Sequence, residues 1–354
     1  MRLRGSGLFL TGQSPESPQA GRRQQGCSLL TQPLVVHTPA KLNLFLEILA
    51  KRDDGFHELE TLMMTVSLYD TLVFTEKTTH KNSTHTEEAS EEVSLRCFDA
   101  SFSGSRQGNA GSALRQNATE GATGVTEVPD GRDNLAVRAA ELLRSKTGCR
   151  RGIHIDLYKR IPVAAGLAGG SSDAAAVLFA LNRIWQLGLS RDELQSFASE
   201  IGSDVSFFLN PQSAAICRGR GEIIEPLSLP NRLHFVIAKP PGGLSTADVF
   251  RHCRLQDRSR GVGSLVDSLR RGDLQTAGHR LLNSLQAPAE ELNPDVGRLK
   301  AKFSSQNTIG HLMSGSGTAY FGVCRHRREA RKAAARLRAS MKHSDQVFVV
   351  ANPP

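Results

Sequence analysis

Apolar and polar positions divide the chain into stretches of clear periodicity and stretches with none. From Lys41 to Leu49 the two kinds alternate. Leu42, Leu44, Leu46 and Ile48 share one face, and Lys41, Asn43, Phe45 and Glu47 share the other. A period of two predicts a strand. It is read as half-buried, with Lys41 and Asn43 side by side on the face away from the core. Lys51-Arg-Asp-Asp-Gly55 predicts a turn, and residues 57–74 return as β structure. Ala136 to Lys146 has the pattern of an amphipathic helix closed by Gly148. Ile153 to Tyr158 alternates again as a strand. Two further helices are predicted, over the apolar run Ala174–Leu187 and over Arg191–Ile201, the second with Ser190 as N-cap and Gly202 as stop. Beyond these, strands are expected at Leu233–Ala238, Thr318–Val323 and Gln346–Val350. A helix is expected over Arg327–Lys342, its Ala and Leu residues facing a sheet and its Arg and Lys residues facing solvent. This mixture predicts an α+β fold.

Two segments lack periodicity. Residues 1–33 are rich in Gly, Ser, Gln and Arg, with Glu16 the only acid. They read as a disordered leader, a transit-type segment or an over-long start. Residues 76–129 are dominated by Thr, Ser, Glu, Asn and Gly, and only Val93–Phe98 looks like a strand. They read as a low-complexity insert. The folded parts are then an N-terminal domain over 34–210 and a C-terminal domain over 211–354.

Composition narrows the function classes. The net charge of +9 fits either a nucleic-acid partner or an anionic small molecule, but aromatics are scarce and do not interleave with Lys and Arg. No nucleic-acid partner is therefore expected. No apolar run approaches the roughly 18–20 residues of a membrane helix, so no membrane partner is expected either. Six scattered cysteines without a C-x-x-C pair offer no zinc site or disulfide framework. Asn82 and Asn117 match glycosylation sequons and are read as chance. A cytoplasmic protein of bacterial type is expected, or one of a plastid-type organelle if the leader is a transit peptide.

The candidate chemistry begins at Ile161-Pro-Val-Ala-Ala-Gly-Leu-Ala-Gly-Gly-Ser-Ser-Asp173, where a Gly- and Ser-rich loop feeds a helix. Small residues let backbone approach a ligand, and the unpartnered N–H groups of a helix start suit a phosphate. No Lys follows the glycines, so this is neither a Walker A loop nor a dinucleotide fingerprint. Met313-Ser-Gly-Ser-Gly-Thr318 is a second glycine-rich loop before a strand.

Taken in order, Pro39-Ala-Lys-Leu-Asn-Leu44, the 162–172 loop and the 313–318 loop resemble the GHMP kinase superfamily of small-molecule, ATP-dependent kinases. Lys51-Arg-Asp-Asp-Gly-Phe-His-Glu-Leu59 and Ile201-Gly-Ser-Asp-Val-Ser-Phe-Phe208 are similar to the branch acting on a cytidine-diphospho methylerythritol in the non-mevalonate isoprenoid pathway. The resemblance covers roughly residues 34–75 and 130–350. It implies a two-lobed fold, with an N-terminal lobe like the second domain of ribosomal protein S5 and a ferredoxin-like C-terminal lobe. It implies ATP as phosphate donor, with Mg²⁺ delivered on the ATP and no dedicated metal residues.

By the same resemblance Asp204 is the base that accepts the C2 hydroxyl proton, and Lys41 stabilises negative charge on the transferring group. Ala164, Ala165, Gly166, Leu167, Ala168, Gly169, Gly170, Ser171 and Ser172 cradle the nucleotide phosphates, and Asn134 and Lys159 contact the nucleotide. Alanine at 164 and 168, where the family is more glycine-rich, implies that neither position needs a positive φ. His57 reads the cytosine edge, Phe56 and Phe250 stack on the base, and Asn43 and Thr246 hold the diphosphate or diol. Phe56 replaces a frequent Tyr, which leaves stacking without the hydroxyl. In Leu282-Asn-Ser-Leu285 the family often has an acid after Asn, and no chemistry is assigned there. The expected assembly is a monomer or weak homodimer. Other readings remain: a GHMP kinase for homoserine, mevalonate or a sugar, whose substrates carry no base to stack, or a non-catalytic GHMP-fold binding protein, which would be expected to lose Lys41 or Asp204.

Overall fold

A long antiparallel hairpin organises the first lobe. Its strands β2 (Leu34–Lys51) and β3 (His57–Thr75) are joined by the turn predicted at 51–55, where Gly55 has φ 85°. The structure, a computed structural model, describes residues 9–11, 32–76, 78–80, 87–89, 91–100, 131, 133–210, 212–255 and 259–353. Most of the leader, both sequons and much of the insert lie outside these. The leader is not wholly without structure, because β1 (Phe9–Thr11) pairs antiparallel with Val35–His37. Within the insert, β4 (Thr78–His80) and β5 (Glu87–Ala89) pair with each other, and β6 (Val93–Asp99) is the strand foreseen there.

β6 runs parallel to β7 (Ile153–Lys159), giving the order β1-β2-β3-β7-β6. β3 is long enough to take two partners. Thr71–Thr75 pairs with β7, and Leu59–Met64 pairs with β8 (Ala214–Gly219), which in turn pairs with β9 (Ile223–Leu227). The first sheet thus takes residues up to Leu227, past the 210/211 boundary expected from sequence.

Helices α1 (Leu135–Thr147), α2 (Gly169–Ile184), α3 (Arg191–Ile201) and α4 (Ser203–Phe208) contribute Leu143, Leu181, Leu194 and Phe207 to one core with Ile155 and Phe74. Local chemistry sets their ends. Gly148 is left-handed at φ 68°, and Ser190 with Glu193 forms a full capping box. Gly202 stops α3 in another way: it is extended at φ 173° and turns the chain at once into α4.

The second lobe runs β10 (His234–Lys239), α5 (Thr246–Arg251), α6 (Gly263–Arg271), α7 (Leu274–Arg280), β11 (Leu282–Asn283), α8 (Gln286–Leu292), α9 (Pro294–Ser304), β12 (Gly310–Met313), β13 (Tyr320–Cys324), α10 (Arg327–Ser340) and β14 (Gln346–Ala351). Its antiparallel sheet has the order β12-β13-β10-β14. That is the β-α-β-β-α-β arrangement of a ferredoxin-like sandwich, as expected. α9 and α10 close it with Leu299, Phe303 and Leu337 against Val236 and Tyr320.

A third core, containing Leu42 and Leu62 from the first sheet and Phe235 and Phe321 from the second, joins the lobes. This corrects the half-buried reading of β2. Lys41, Asn43 and Glu47 are all buried. The second lobe covers the face that solvent would otherwise wet, and a register shift between Asn43 and Phe45 breaks the strict alternation. Among the described residues no helix is long and apolar enough to cross a membrane.

Candidate active site

A cleft of about 1060 Å³ is lined by residues of both lobes. Every site residue predicted from sequence lines it except Leu167 and Ser172. Those two are buried. Leu167 packs in the inter-lobe core. Ser172 lies one helical step beyond the outward-facing Ser171, so its side chain turns inward. Its N–H is already spent on Ala168 O at 3.0 Å, while its buried hydroxyl has no hydrogen-bond partner among the described residues.

The first glycine loop is held by its carbonyls. Ala165 O accepts from Ala319 N, and Leu167 O accepts from Lys41 N, each at 3.0 Å. Gly166 O accepts from Ser314 Oγ at 3.0 Å. A Cβ on Gly166, at φ 72°, would lie 2.0 Å from Ser314 O, so only glycine permits this approach of the two loops. Ala164 (φ 49°) and Ala168 (φ 55°) do adopt positive φ, contrary to expectation. The stitching from β2 and the second loop forces both alanines into that region. α2 starts without a side-chain cap. Its first N–H groups and its dipole therefore face the cleft free to meet an anion.

At the junction of the loops, Lys41 Nζ lies 3.4 Å from Asp204 Oδ2. The lysine side chain is 4% exposed and the carboxylate 32%. Asn43 Oδ1 accepts from Lys41 Nζ at 2.5 Å, while Asn43 Nδ2 donates to Thr61 Oγ1 at 2.9 Å. The cation is thus oriented by a buried amide, and the acid in the first turn of α4 stays open to the cleft.

Lys159 lines the cleft within a buried cluster of charges. Its ammonium donates to Asp70 and, at 2.8 Å, to Asp173. Asp70 also accepts from Arg160 N at 2.6 Å and Ile161 N at 2.8 Å, and Asp173 accepts from Thr38 Oγ1 at 2.8 Å. Burial opposes the charge on Lys159, but Asp173 and Asp70 more than reverse this and raise its pKa. Burial, reinforced by Asp173, pushes Asp70 up to about 7 against the pull of Lys159. With two carboxylates engaging it, Lys159 supports the glycine loop from below. Asn134, also in the cleft lining, caps α1 and accepts from Ala136 N at 2.9 Å.

At the other end of the cleft, Phe56 is 52% exposed. The rings of His57 and Phe250 lie 5.3 Å apart, tilted by 44°. Burial, with Lys51 nearby, lowers the His57 pKa and so favours the neutral imidazole, one donor and one acceptor. Thr246 Oγ1 meets Ser316 Oγ at 2.9 Å and ties α5 to the second glycine loop.

Two residues given no role from sequence matter here. Asn283 Nδ2 donates to Met313 O and Gly315 O, both at 2.8 Å, and so clamps the second loop. Arg220 also lines the cleft, with its guanidinium over the Phe56 ring. For Asn283 the only mark was its place in Leu282-Asn-Ser-Leu285, to which no chemistry was assigned. For Arg220 the only signal was the tight Gly219-Arg-Gly221 turn.

Comparison with known proteins agrees with this architecture. The family model for the GHMP kinases N terminal domain matches residues 134–211, and that for GHMP kinases C terminal matches residues 265–343. The chain is 39% identical over 289 residues to the 4-diphosphocytidyl-2-C-methyl-D-erythritol kinase of Shouchella clausii, covering 81% of this chain and 84% of that protein. It is 39% identical over 294 residues to the enzyme of the same name from Bacillus cytotoxicus, covering 83% and 89%. A crystal structure of a 4-(cytidine 5'-diphospho)-2C-methyl-D-erythritol kinase superposes with a TM-score of 0.67 at 33% identity, covering 90% of this chain and all of the other. Homoserine kinase from Cytophaga hutchinsonii superposes with a TM-score of 0.64 at 17% identity, covering 92% and 96%, and so shares the fold.

Proposed function

This chain belongs to the 4-diphosphocytidyl-2-C-methyl-D-erythritol kinases, a branch of the GHMP kinases, and from that membership we propose that it transfers the γ-phosphoryl group of ATP to the C2 hydroxyl of 4-diphosphocytidyl-2-C-methyl-D-erythritol. The observation that carries the reading is the Lys41–Asp204 pair, 3.4 Å apart between the phosphate-binding loops and the aromatic end of the cleft. An alcohol is a weak nucleophile while protonated. Asp204 accepts the hydroxyl proton as the oxygen attacks the γ-phosphorus. The bond from that phosphorus to the β-phosphate oxygen breaks, and ADP leaves. Lys41 offsets negative charge on the transferring group. The first N–H groups of α2 hold the phosphates in line.

Among the described residues no cluster of three or more His, Cys, Asp or Glu side chains is placed to hold a metal. We infer that Mg²⁺ would arrive on ATP, with ligands mainly from phosphate oxygens and water, and would neutralise phosphate charge when bound. Phe56, Phe250 and His57 fit a pyrimidine base, which homoserine, mevalonate and sugars lack.

The test is ADP release from Mg·ATP with and without 4-diphosphocytidyl-2-C-methyl-D-erythritol, for wild type and Asp204→Ala. Substrate-dependent release should fall about 10²- to 10⁴-fold in the variant. Undiminished turnover in the variant removes Asp204 as the base. A folded wild type that binds ATP but ignores this substrate removes the substrate assignment.

A further inference from the structure

We propose that Arg220 is a positioning residue for substrate specificity: it backs the Phe56 ring and fixes the face on which the pyrimidine base stacks. This rests on the reading of the cleft's aromatic end as a base site. Phe56 poses a physical problem. It follows a tight turn and exposes 52% of its surface, so packing does little to hold its ring. Its backbone is fixed instead. Arg52 N donates to Phe56 O at 2.8 Å, and Phe56 N donates to Asp54 Oδ1 at 3.0 Å. The side chain would still turn about χ1 and χ2, and an unfixed ring loses entropy each time a base stacks on it.

Strand register supplies the missing wall. Leu59 of β3 lies opposite Gly219 of β8, so the β8–β9 turn falls beside the start of β3 and the preceding Phe56. Arg220 sits in that turn between two glycines at φ 71° and 112°, with its backbone N–H donating to Glu222 Oε2 at 2.6 Å. Its guanidinium carbon lies 4.7 Å from the Phe56 centroid, inside the range of a cation–π contact. Glu222 Oε1 is 3.7 Å from its Nε and anchors the guanidinium loosely. A ring has two faces. With one under a guanidinium, the other is left for a planar ligand. Both Arg220 and Phe56 line the cleft that also holds His57 and Phe250. A Cβ added at Gly221 would lie 3.4 Å from Ser203 Cβ, so the same turn runs near the neighbour of Asp204.

Calorimetric titration with cytidine 5'-monophosphate tests this without turnover. The proteins are wild type, Arg220→Ala, Arg220→Lys, Phe56→Ala and the double alanine variant, with ATP binding as the check on folding. Arg220→Ala should weaken binding about two- to tenfold, with Arg220→Lys in between, and should add nothing further in the Phe56→Ala background. In steady state the KM for the cytidine substrate should rise while that for ATP holds. The proposal is overturned by equal weakening in both backgrounds, by no weakening, or by a wild type that binds no cytidine monophosphate. If binding behaves as expected but 4-diphosphocytidyl-2-C-methyl-D-erythritol is not turned over, the proposed reaction fails and the role of Arg220 stands.

Discussion

Lys41 and Lys159 are both buried and both line the cleft, yet their partners give them different work. Lys159 donates to two buried carboxylates, Asp70 and Asp173. Lys41 faces one amide oxygen and one half-open carboxylate, so it keeps the capacity to meet a phosphoryl group. A buried charge is tolerated only when matched, and the degree of matching separates support from chemistry. Residue-level strain is also present in the loop. Ala164 is exposed at φ 49°, where an L-residue with a Cβ is disfavoured. Ala164→Gly should stabilise the fold by about 0.5–1 kcal/mol, the relief of strain being partly offset by a freer unfolded chain. Urea unfolding reads this directly, and a destabilised variant would mean that the Ala164 methyl makes a packing contribution larger than the strain.

Elements matter by what they hold still. β11 has only two residues, yet it pairs parallel with Phe45 and Leu46 of β2 and presents Asn283 to the second glycine loop. That loop buttresses the first through Ser314 and Gly166. Asn283→Ala leaves the carbonyls of Met313 and Gly315 without this donor. We expect a loss of about 1–3 kcal/mol in unfolding free energy and a several-fold higher KM for ATP. An unchanged KM for ATP would show that the second loop keeps its place without the clamp.

At the scale of the whole molecule, the cleft exists because the lobes share a core. Phe235 and Phe321 of the second sheet pack in one cluster with Leu42 and Leu62 of the first. The lobes are therefore expected to unfold together. The single tryptophan, Trp185, is buried in the first lobe's helical core and reports on that lobe alone. Phe321→Ala, a second-lobe change, should cost about 3–5 kcal/mol and shift the Trp185 fluorescence transition as much as the circular dichroism transition. Separate transitions would mean that the lobes fold as independent units.

The sequence by itself marked many of the elements and the candidate reacting groups. Alternation, helical period, the Ser190 capping box and the Gly148 stop are local, and local chemistry decides them. Lys41, Asp204 and the glycine loops stood out as residue types in a motif order. The mixed fold and its second, ferredoxin-like lobe were also legible. Only the tertiary structure decided what each group faces. Two-sided burial of β2 follows from the lobe that packs over it. The positive φ of Ala164 and Ala168 follows from hydrogen bonds to partners more than a hundred residues away. The same distance hid the Asp70–Lys159–Asp173 cluster, the clamp by Asn283 and the contact of Arg220 with Phe56. Each of these depends on which strand edges and loops meet, and strand register and lobe packing are long-range properties that no local pattern encodes.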